Sequence, residues 1–379
     1  MSDRPTPLGA LLRAAPPDRL PEVAAEHLRR QYSAGRVEVL LGDLNLTALK
    51  PVLDLDGPTG GVLAQRCFGS QRPVIDIAAD TNRAYLPLSA WGERLGVLVV
   101  ETPLPAGTSL TEELSGVADE LAVALRAADV ATDRYRRAQR RERLTMAAEL
   151  QWELLPGRSL GDDRFLVAGQ LQPAYAVFGD HYDWSLAGDR LTVTVLNGHG
   201  DGLEAALLTT VAVNAMRNAR RAGANIVEQA ELASDAVYAR FGGAGHAATL
   251  LLQIDLVGGR VEAVDAGSPR AVIARDREIQ PVTLEQQLPL GMFGETRYEI
   301  QRFTLEPADR LLVVSDGVHA ATPAGRSPYG ESALLTALRR TRLQPATEAV
   351  GTVMRNLREY HGGVEPEDDA VTVCLDWRR

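Results

Sequence analysis

The chain has 379 residues, 45% hydrophobic and 24% charged, enough for two ordinary domains with real cores and too apolar for wholesale disorder. A formal charge of -10 and a pI near 5.2 exclude nucleic acid or an anionic membrane surface as the main partner. Two cysteines, Cys67 and Cys374, make neither a disulfide framework nor a zinc site and fit a reducing, cytoplasmic setting.

The first residues lack a basic segment followed by an apolar core, so no signal peptide is expected. The longest apolar runs, such as "LGVLVV", fall far short of the ~20 residues a membrane helix needs, so no membrane insertion is expected. Residues 1–105 read as mixed α/β. "PPDRLPEVAAEHLRRQY" puts Leu20, Val23, Ala24, His27 and Leu28 on one helical face. "RVEVLLGD" reads as a strand, and "GGVLAQRCFGSQRPVID" as a short helix, a Gly-Ser turn and a strand. "RAYLPLSAWGERLGVLVVETP" alternates on both sides of Gly92-Glu93-Arg94, which predicts a β-hairpin.

Ser109 with Glu112 spells a capping box and opens a long helix. Along it Leu114, Ala118, Leu121, Leu125, Ala128 and Tyr135 recur at steps of four and three, apart from Thr132, a short seam able to pair two chains. "DRYRRAQRRERL" adds a basic face, read as a solvated charge run in preference to a partner-binding patch. The helix is expected to continue through "AAELQWELLP" and stop at Pro156, a rigid connector between two domains. The first half, over roughly residues 8–128, resembles a GAF-type sensor domain on "GSQRPVID", "YLPLSAWGERLGVLVVE" and the helix that follows. A plainer alternative is a dimerisation or docking unit with no ligand.

From about Phe165 the pattern changes to many strands with a few helices. "RFLVAGQLQPAY", "YDWSLAGDRLTVTVL", "ATLLLQIDLVGGRVEAVDAGSPRAVIARDREIQPVT", "YEIQRFTLEPADRLLVVSDG" and "DAVTVCLDW" read as strands or hairpins, with turns at Gly258-Gly259, Asp276-Arg277 and Ala308-Asp309. Helices are expected over about 203–222, 227–241, 331–340 and 346–360. Runs of strands interrupted by paired helices predict an α+β sandwich.

Acidic or amide side chains stand beside glycine or another acid at the strand ends in four places: Gly179-Asp180-His181-Tyr182-Asp183, Asn197-Gly198-His199-Gly200-Asp201-Gly202, Ser315-Asp316-Gly317 and Asp368-Asp369. Carboxylates with carbonyls and water suit Mg²⁺ or Mn²⁺, and two such ions can activate water against a phosphoryl group. Asp-Gly alone is usually a turn, and an acid pair near a terminus is usually a solvated loop; the order and spacing of the four carry the signal.

Residues 145–379 resemble the metal-dependent protein phosphatase 2C (PPM) superfamily in its SpoIIE-type branch. The matches run in order: "AAELQWELLP", "FGDHYDW", "GLEAALL", "DAGSPRAVI", "LPLGMF", "DRLLVVSDG" and "DDAVTV". The resemblance implies an α+β chain. A GAF-like α/β sensor domain would span 1–108, a helical, coiled-coil-like linker 109–156, and an α-β-β-α phosphatase sandwich 157–379. It implies Mn²⁺ or Mg²⁺, normally two ions, and hydrolysis of phosphoserine or phosphothreonine on a protein such as an anti-anti-sigma factor. It also implies a homodimer held through the sensor and linker.

Residue by residue, the resemblance makes Asp180, Asp316 and Asp369 metal ligands, with Asp368 the alternative to Asp369 and Gly198 a carbonyl ligand. Asp183 matches the second acid of its motif, a weak metal-ligand candidate with a structural role as the alternative. Asn197 falls where the family has its metal-bridging aspartate, Phe178 where it has glycine, and Ser268 where it has histidine. Asp201 is the nearest carboxylate able to substitute for the lost one, and His199 is the candidate proton donor. A neutral amide in place of a bridging carboxylate weakens the hold on at least one of two repelling cations. The function expected is a sensor-regulated phosphatase with an altered metal centre. The alternatives are a pseudophosphatase serving as a binding or switch module, and a scaffold in which only the sensor's ligand matters.

Overall fold

The computed structural model describes residues 7–44, 46, 48–53, 60–77, 81–105, 107–140, 143–172, 179–323, 325–362 and 368–378. The chain divides into two units, Met1–Arg143 and Leu144–Arg379.

In chain order the first unit contains α1 (Leu8–Ala14), α2 (Leu20–Tyr32), β1 (Arg36–Gly42), β2 (Leu49–Pro51), α3 (Val62–Ser70), β3 (Val74–Ile77), β4 (Asn82–Ala90), β5 (Glu93–Thr102), α4 (Thr108–Ala128) and α5 (Arg134–Gln139). The five strands form one sheet in the order β2-β1-β5-β4-β3. Both faces are covered, which is why β1 and β5 read as continuous apolar runs. Val37, Val39, Leu98 and Val100 face α1, α2 and α4, while Leu40, Val97 and Val99 face Cys67 and Phe68 of α3. The β4–β5 hairpin turns at Trp91-Gly92, slightly earlier than expected, with φ of 51° and 83° at these two residues. Positive φ at both central residues matches the twist of the flanking strands.

The continuous helix expected over 109–156 is not formed: α4 ends at Ala128, α5 is separate, and a further helix starts at Met146. Arg134 pairs with Glu22 at 2.7 Å and donates to Val52 O, and the Tyr135 hydroxyl donates to Pro17 O. These bonds fold the segment back onto its own unit. Leu114, Ala118, Leu121, Leu125, Ala128 and Tyr135 are all buried in that unit's core, so the seam expected to pair two chains is consumed within one. The Ser109–Glu112 box is absent as well: Gly107 is the N-cap, and the Ser109 hydroxyl donates to Glu113 instead.

The second unit contains α6 (Met146–Leu154), β6 (Ser159–Gly161), β7 (Phe165–Gln172), β8 (Asp180–Ala187), β9 (Arg190–Gly198), α7 (Gly202–Arg221), α8 (Ile226–Phe241), β10 (Ala247–Asp255), β11 (Arg260–Ala266), β12 (Arg270–Arg275), β13 (Glu278–Pro281), β14 (Gln301–Thr304), β15 (Arg310–Val314), α9 (Asp316–His319), α10 (Ala333–Arg340), α11 (Ala346–Tyr360) and β16 (Ala370–Trp377). Two antiparallel sheets form, in the orders β14-β11-β10-β9-β8 and β13-β12-β15-β16-β7-β6. Their inner faces meet in a core that includes Phe165, Tyr182, Trp184, Val195, Leu250, Leu311, Val373 and Trp377. The helices α7 and α8 cover the outer face of the first sheet through Leu208, Ala212, Met216, Ala230 and Val237. The helices α10 and α11 cover the other through Leu334, Leu338, Val350, Val353 and Leu357. The layers are therefore helix, sheet, sheet, helix. Among the described residues, no helix is long and apolar enough to cross a membrane.

This register sets the chemistry. Asp180, first residue of β8, pairs with Asn197 near the end of β9. Asp316 follows β15 and Asp369 precedes β16, and those strands are neighbours in the other sheet.

Candidate active site and metal centre

Two close backbone approaches build the site. A Cβ on Gly179, whose φ is 91°, would lie 2.6 Å from Gly198 O, so glycine lets the entry to β8 lie against the exit of β9. The Thr209 hydroxyl of α7 ties this junction by donating to Gly179 O at 2.7 Å. A Cβ on Gly317 would lie 1.7 Å from Asp369 O, so only glycine lets the Asp316-Gly317 turn rest on the chain entering β16.

Asp316 is fully engaged. The Asn197 amide donates to its Oδ1 at 2.5 Å, the Gly317 N–H donates to the same oxygen at 3.0 Å, and the Ser268 hydroxyl donates to Oδ2 at 3.2 Å. Asn197 and Ser268, two of the positions that depart from the family motif, thus both serve the aspartate that is retained. His319 Nε2 bonds the Ser268 carbonyl at 2.9 Å, and burial holds its imidazole below the ordinary pKa.

Asp180 is in the opposite condition. It is fully buried, and neither carboxylate oxygen has a hydrogen-bond partner of ordinary geometry, although the Ser315 hydroxyl lies close enough to favour the charged form. Burial and then the charge of Asp316 push its pKa well above the usual carboxylate range; Ser315 close by offsets a little, and Asp368 and Asp369 add to the rise. Asp368 is pushed up to about 6, mainly by burial and then by Asp316. Asp369 is buried, and its Oδ2 accepts from Gln151 Nε2 at 2.8 Å.

The structure therefore brings together Asp180, Asn197, Asp316, Asp368 and Asp369, with Gly198 adjoining. Asp183, expected as a weak metal ligand, is not one of them. It is buried between Arg217 and Arg220 of α7, at 2.7 and 3.1 Å, because successive residues of β8 face opposite sides of the sheet and Asp183 falls on the helix side. Asp201 is exposed at the N-cap of α7, where its carbonyl accepts from Ala205 N and its side chain makes no cap bond. His199 is exposed and stacks on His246 with ring centroids 4.6 Å apart. Burial, with the charge of His199 second, lowers the pKa of His246. Phe178 lies outside the described residues.

Sequence reasoning missed Gln151 and Arg217. Gln151 had a signal: it is the one polar residue on the buried stripe Ala147, Ala148, Gln151, Leu154 of α6.

The donor set suits a hard divalent cation, since a buried carboxylate with no partner, surrounded by like charges, calls for positive charge. Among the described residues, no three acidic, histidine or cysteine side chains already stand as a metal cage. At this position Asn197 supplies a hydrogen bond to Asp316 and no charge.

A family model described as stage II sporulation protein E (SpoIIE) matches residues 187–378, more than half of the chain. The chain belongs to the SpoIIE family. The matched span holds Asn197, Asp316 and Asp369 and starts after Asp180 and Asp183. Among solved structures, the RsbU and RsbW domains of Rv1364c from Mycobacterium tuberculosis align at 21% identity and TM-score 0.50, over 57% of this chain and 62% of that one. The chain thus spans less than two thirds of that relative's length. The SiaA PP2C domain of Pseudomonas aeruginosa aligns at 18% identity and TM-score 0.50, over 56% of this chain and 85% of that one. The second unit therefore has the fold of PP2C-type protein phosphatases. No curated protein matches the chain.

Proposed function

We propose that the chain is a metal-dependent protein phosphatase for phosphoserine or phosphothreonine, with an altered metal centre, regulated by its N-terminal unit. The observation that carries this reading is Asp180, buried with both oxygens unpaired among Asp316, Asp368 and Asp369. Asp180 and Asp369, with Asp368 as the alternative and the Gly198 carbonyl beside them, would hold Mn²⁺ or Mg²⁺. Asp316 would contribute only an oxygen it now shares with Asn197 or Ser268. Such a cation, when bound, polarises a phosphoryl oxygen and lowers the pKa of water.

The chain's own residues do the rest. Asn197, Gly317 and Ser268 fix the rotamer of Asp316. The sandwich core behind Asp180 excludes water from one side. His199 is the candidate donor of a proton to the leaving serine or threonine oxygen.

Membership of the SpoIIE family supports a phosphoprotein substrate, and an anti-anti-sigma-factor-like domain is the class that the family resemblance implies. The N-terminal unit we read as a GAF-like sensor, supported by its antiparallel sheet covered on both faces. Calorimetry of the full chain with cyclic nucleotides tests it. With the α4 seam buried, a homodimer would have to use other surfaces of that unit.

One observation favours a second reading, a pseudophosphatase: Asn197 and Ser268 already occupy both oxygens of Asp316. Phosphate release separates the two. The active reading expects Mn²⁺-dependent release from a phosphoprotein or an aryl phosphate, lost in Asp180→Asn. No release at millimolar Mn²⁺ across several phosphoproteins, with release appearing in Asn197→Asp, establishes the second reading.

A further inference from the structure

We propose that Gln151 is a positioning residue that couples the docking of α6 to the placement of Asp369 in the acid cluster. Gln151 is 2% exposed. Its Nε2 donates to the backbone oxygen of Asp180 at 2.7 Å and to Asp369 Oδ2 at 2.8 Å. Both partners are acceptors, so only the nitrogen of the amide can face them, and the orientation follows from chemistry. Oε1 is buried with no partner. A residue needed there only for packing would be Leu or Met, which fills the same space without leaving a buried acceptor unpaired. The amide is therefore explained by its two bonds. They join the first residue of β8 to the residue before β16, so one side chain spans the two sheets at the acid end of the sandwich.

α6 is held in place by independent contacts on either side of Gln151. At its start the Thr145 side chain caps the helix by accepting from Ala148 N, and the docking contact there is made by the two alanines that follow. Ala147 and Ala148 pack on Ala206 of α7, small against small, which lets the helices approach closely. At its end Arg217 of α7 donates to Leu154 O at 2.7 Å while pairing with Asp183 of β8. Gln151 sits between these anchors and passes the position of α6 to Asp369. A shift of α6 withdraws this donor from Asp369 Oδ2. The consequence for a bound cation rests on the metal-dependent reading above; the hydrogen bonds themselves do not.

The test uses the full chain and Gln151→Met, similar in size and without a donor. In EDTA, urea unfolding of the parent, Gln151→Met, Asp369→Ala and the double variant forms a cycle. The expected result is non-additive, with Gln151→Met costing less once Asp369 is gone; additive effects overturn the proposal. Mn²⁺ titration by calorimetry is the second readout. Loss of a partner that orients a metal ligand typically weakens affinity about 10–100-fold. The same rise is expected in the Mn²⁺ concentration for half-maximal aryl phosphate hydrolysis, with kcat at saturating Mn²⁺ changed little. Where the parent binds Mn²⁺, unchanged affinity in Gln151→Met also overturns it. A parent that binds no Mn²⁺ but gives a non-additive cycle defeats the metal reading and leaves the coupling of Gln151 to Asp369 standing. Should Gln151→Met fail to fold, Gln151→Asn, which keeps the amide but withdraws it by one methylene, replaces it in both measurements.

Discussion

Asn197→Asp is the most informative single change. In the parent, the Asn197 amide donates to Asp316 Oδ1 at 2.5 Å. The substitution removes that donor and sets a second carboxylate against the first. A hydrogen bond to a charged group contributes about 1.5–3 kcal/mol. Two unit charges ~4 Å apart repel by about 4 kcal/mol at an effective dielectric near 20. Asn197 and Asp316 are both only half-buried, so water screens part of this repulsion, and rotation of the new carboxylate relieves more. A net loss of about 2–4 kcal/mol without metal is expected. A divalent cation reverses the sign, because the added charge now has a partner. A ligand present at about 100 times its Kd contributes about 2.7 kcal/mol. The assay is urea unfolding of the full chain, in EDTA and in Mn²⁺ at matched ionic strength. Tryptophan fluorescence reports the right unit, since Trp184 and Trp377 are 6% and 3% exposed in the sandwich core and Trp91 of the first unit is 62% exposed. Asn197→Asp should unfold earlier than the parent in EDTA and gain more from Mn²⁺. Equal stability in EDTA, together with an equal response to Mn²⁺, would refute the role assigned to the Asn197–Asp316 bond.

Further outcomes are expected. Asp180→Asn removes a buried charge without a partner, so it should raise urea stability in EDTA by about 1–3 kcal/mol and abolish the response to Mn²⁺. Asp183→Ala takes the shared carboxylate from the part-buried Arg217 and Arg220, leaving Arg217 its bond to Leu154 O, and should cost about 1–3 kcal/mol by the same assay. Gly317→Ala forces a Cβ onto Asp369 O and should lower Mn²⁺ affinity in calorimetry, while alanine at exposed Gly35, where a Cβ meets nothing, does not. Burial raises the thiols of Cys67 and Cys374 to about 12, so neither should react with a maleimide at neutral pH until urea unfolds the chain.

Much of this was legible in the sequence, for reasons that differ by element. The sandwich strands alternate or run apolar between Gly and Asp turns, and the turns at Gly258-Gly259, Asp276-Arg277 and Ala308-Asp309 connect the strands expected. The acid cluster was legible because strand-end carboxylates beside glycine have a close-approach geometry, realised at Gly179 and Gly317. The helix over 109–156 was misread because a seam at steps of four and three looks the same whether it meets a second chain or the sheet of its own unit. Only the tertiary bonds of Arg134 and Tyr135 decide between them. Whether Asp183 is a weak ligand or a structural acid stayed open because motif spacing does not state which face of β8 a side chain takes; its ion pairs with Arg217 and Arg220 fit the structural alternative. The Asn197–Asp316 and Gln151–Asp369 bonds span 119 and 218 residues, and no local pattern reports contacts of that range.

Diffraction from crystals grown with Mn²⁺, collected at the manganese absorption edge, addresses the metal centre most directly. The expected result is an anomalous peak ligated by Asp180 and by Asp369 or Asp368, with Asn197 contributing at most its amide oxygen. A peak elsewhere, or none while Asp180 remains buried and unpaired, would contradict a metal-dependent phosphatase centre in this chain.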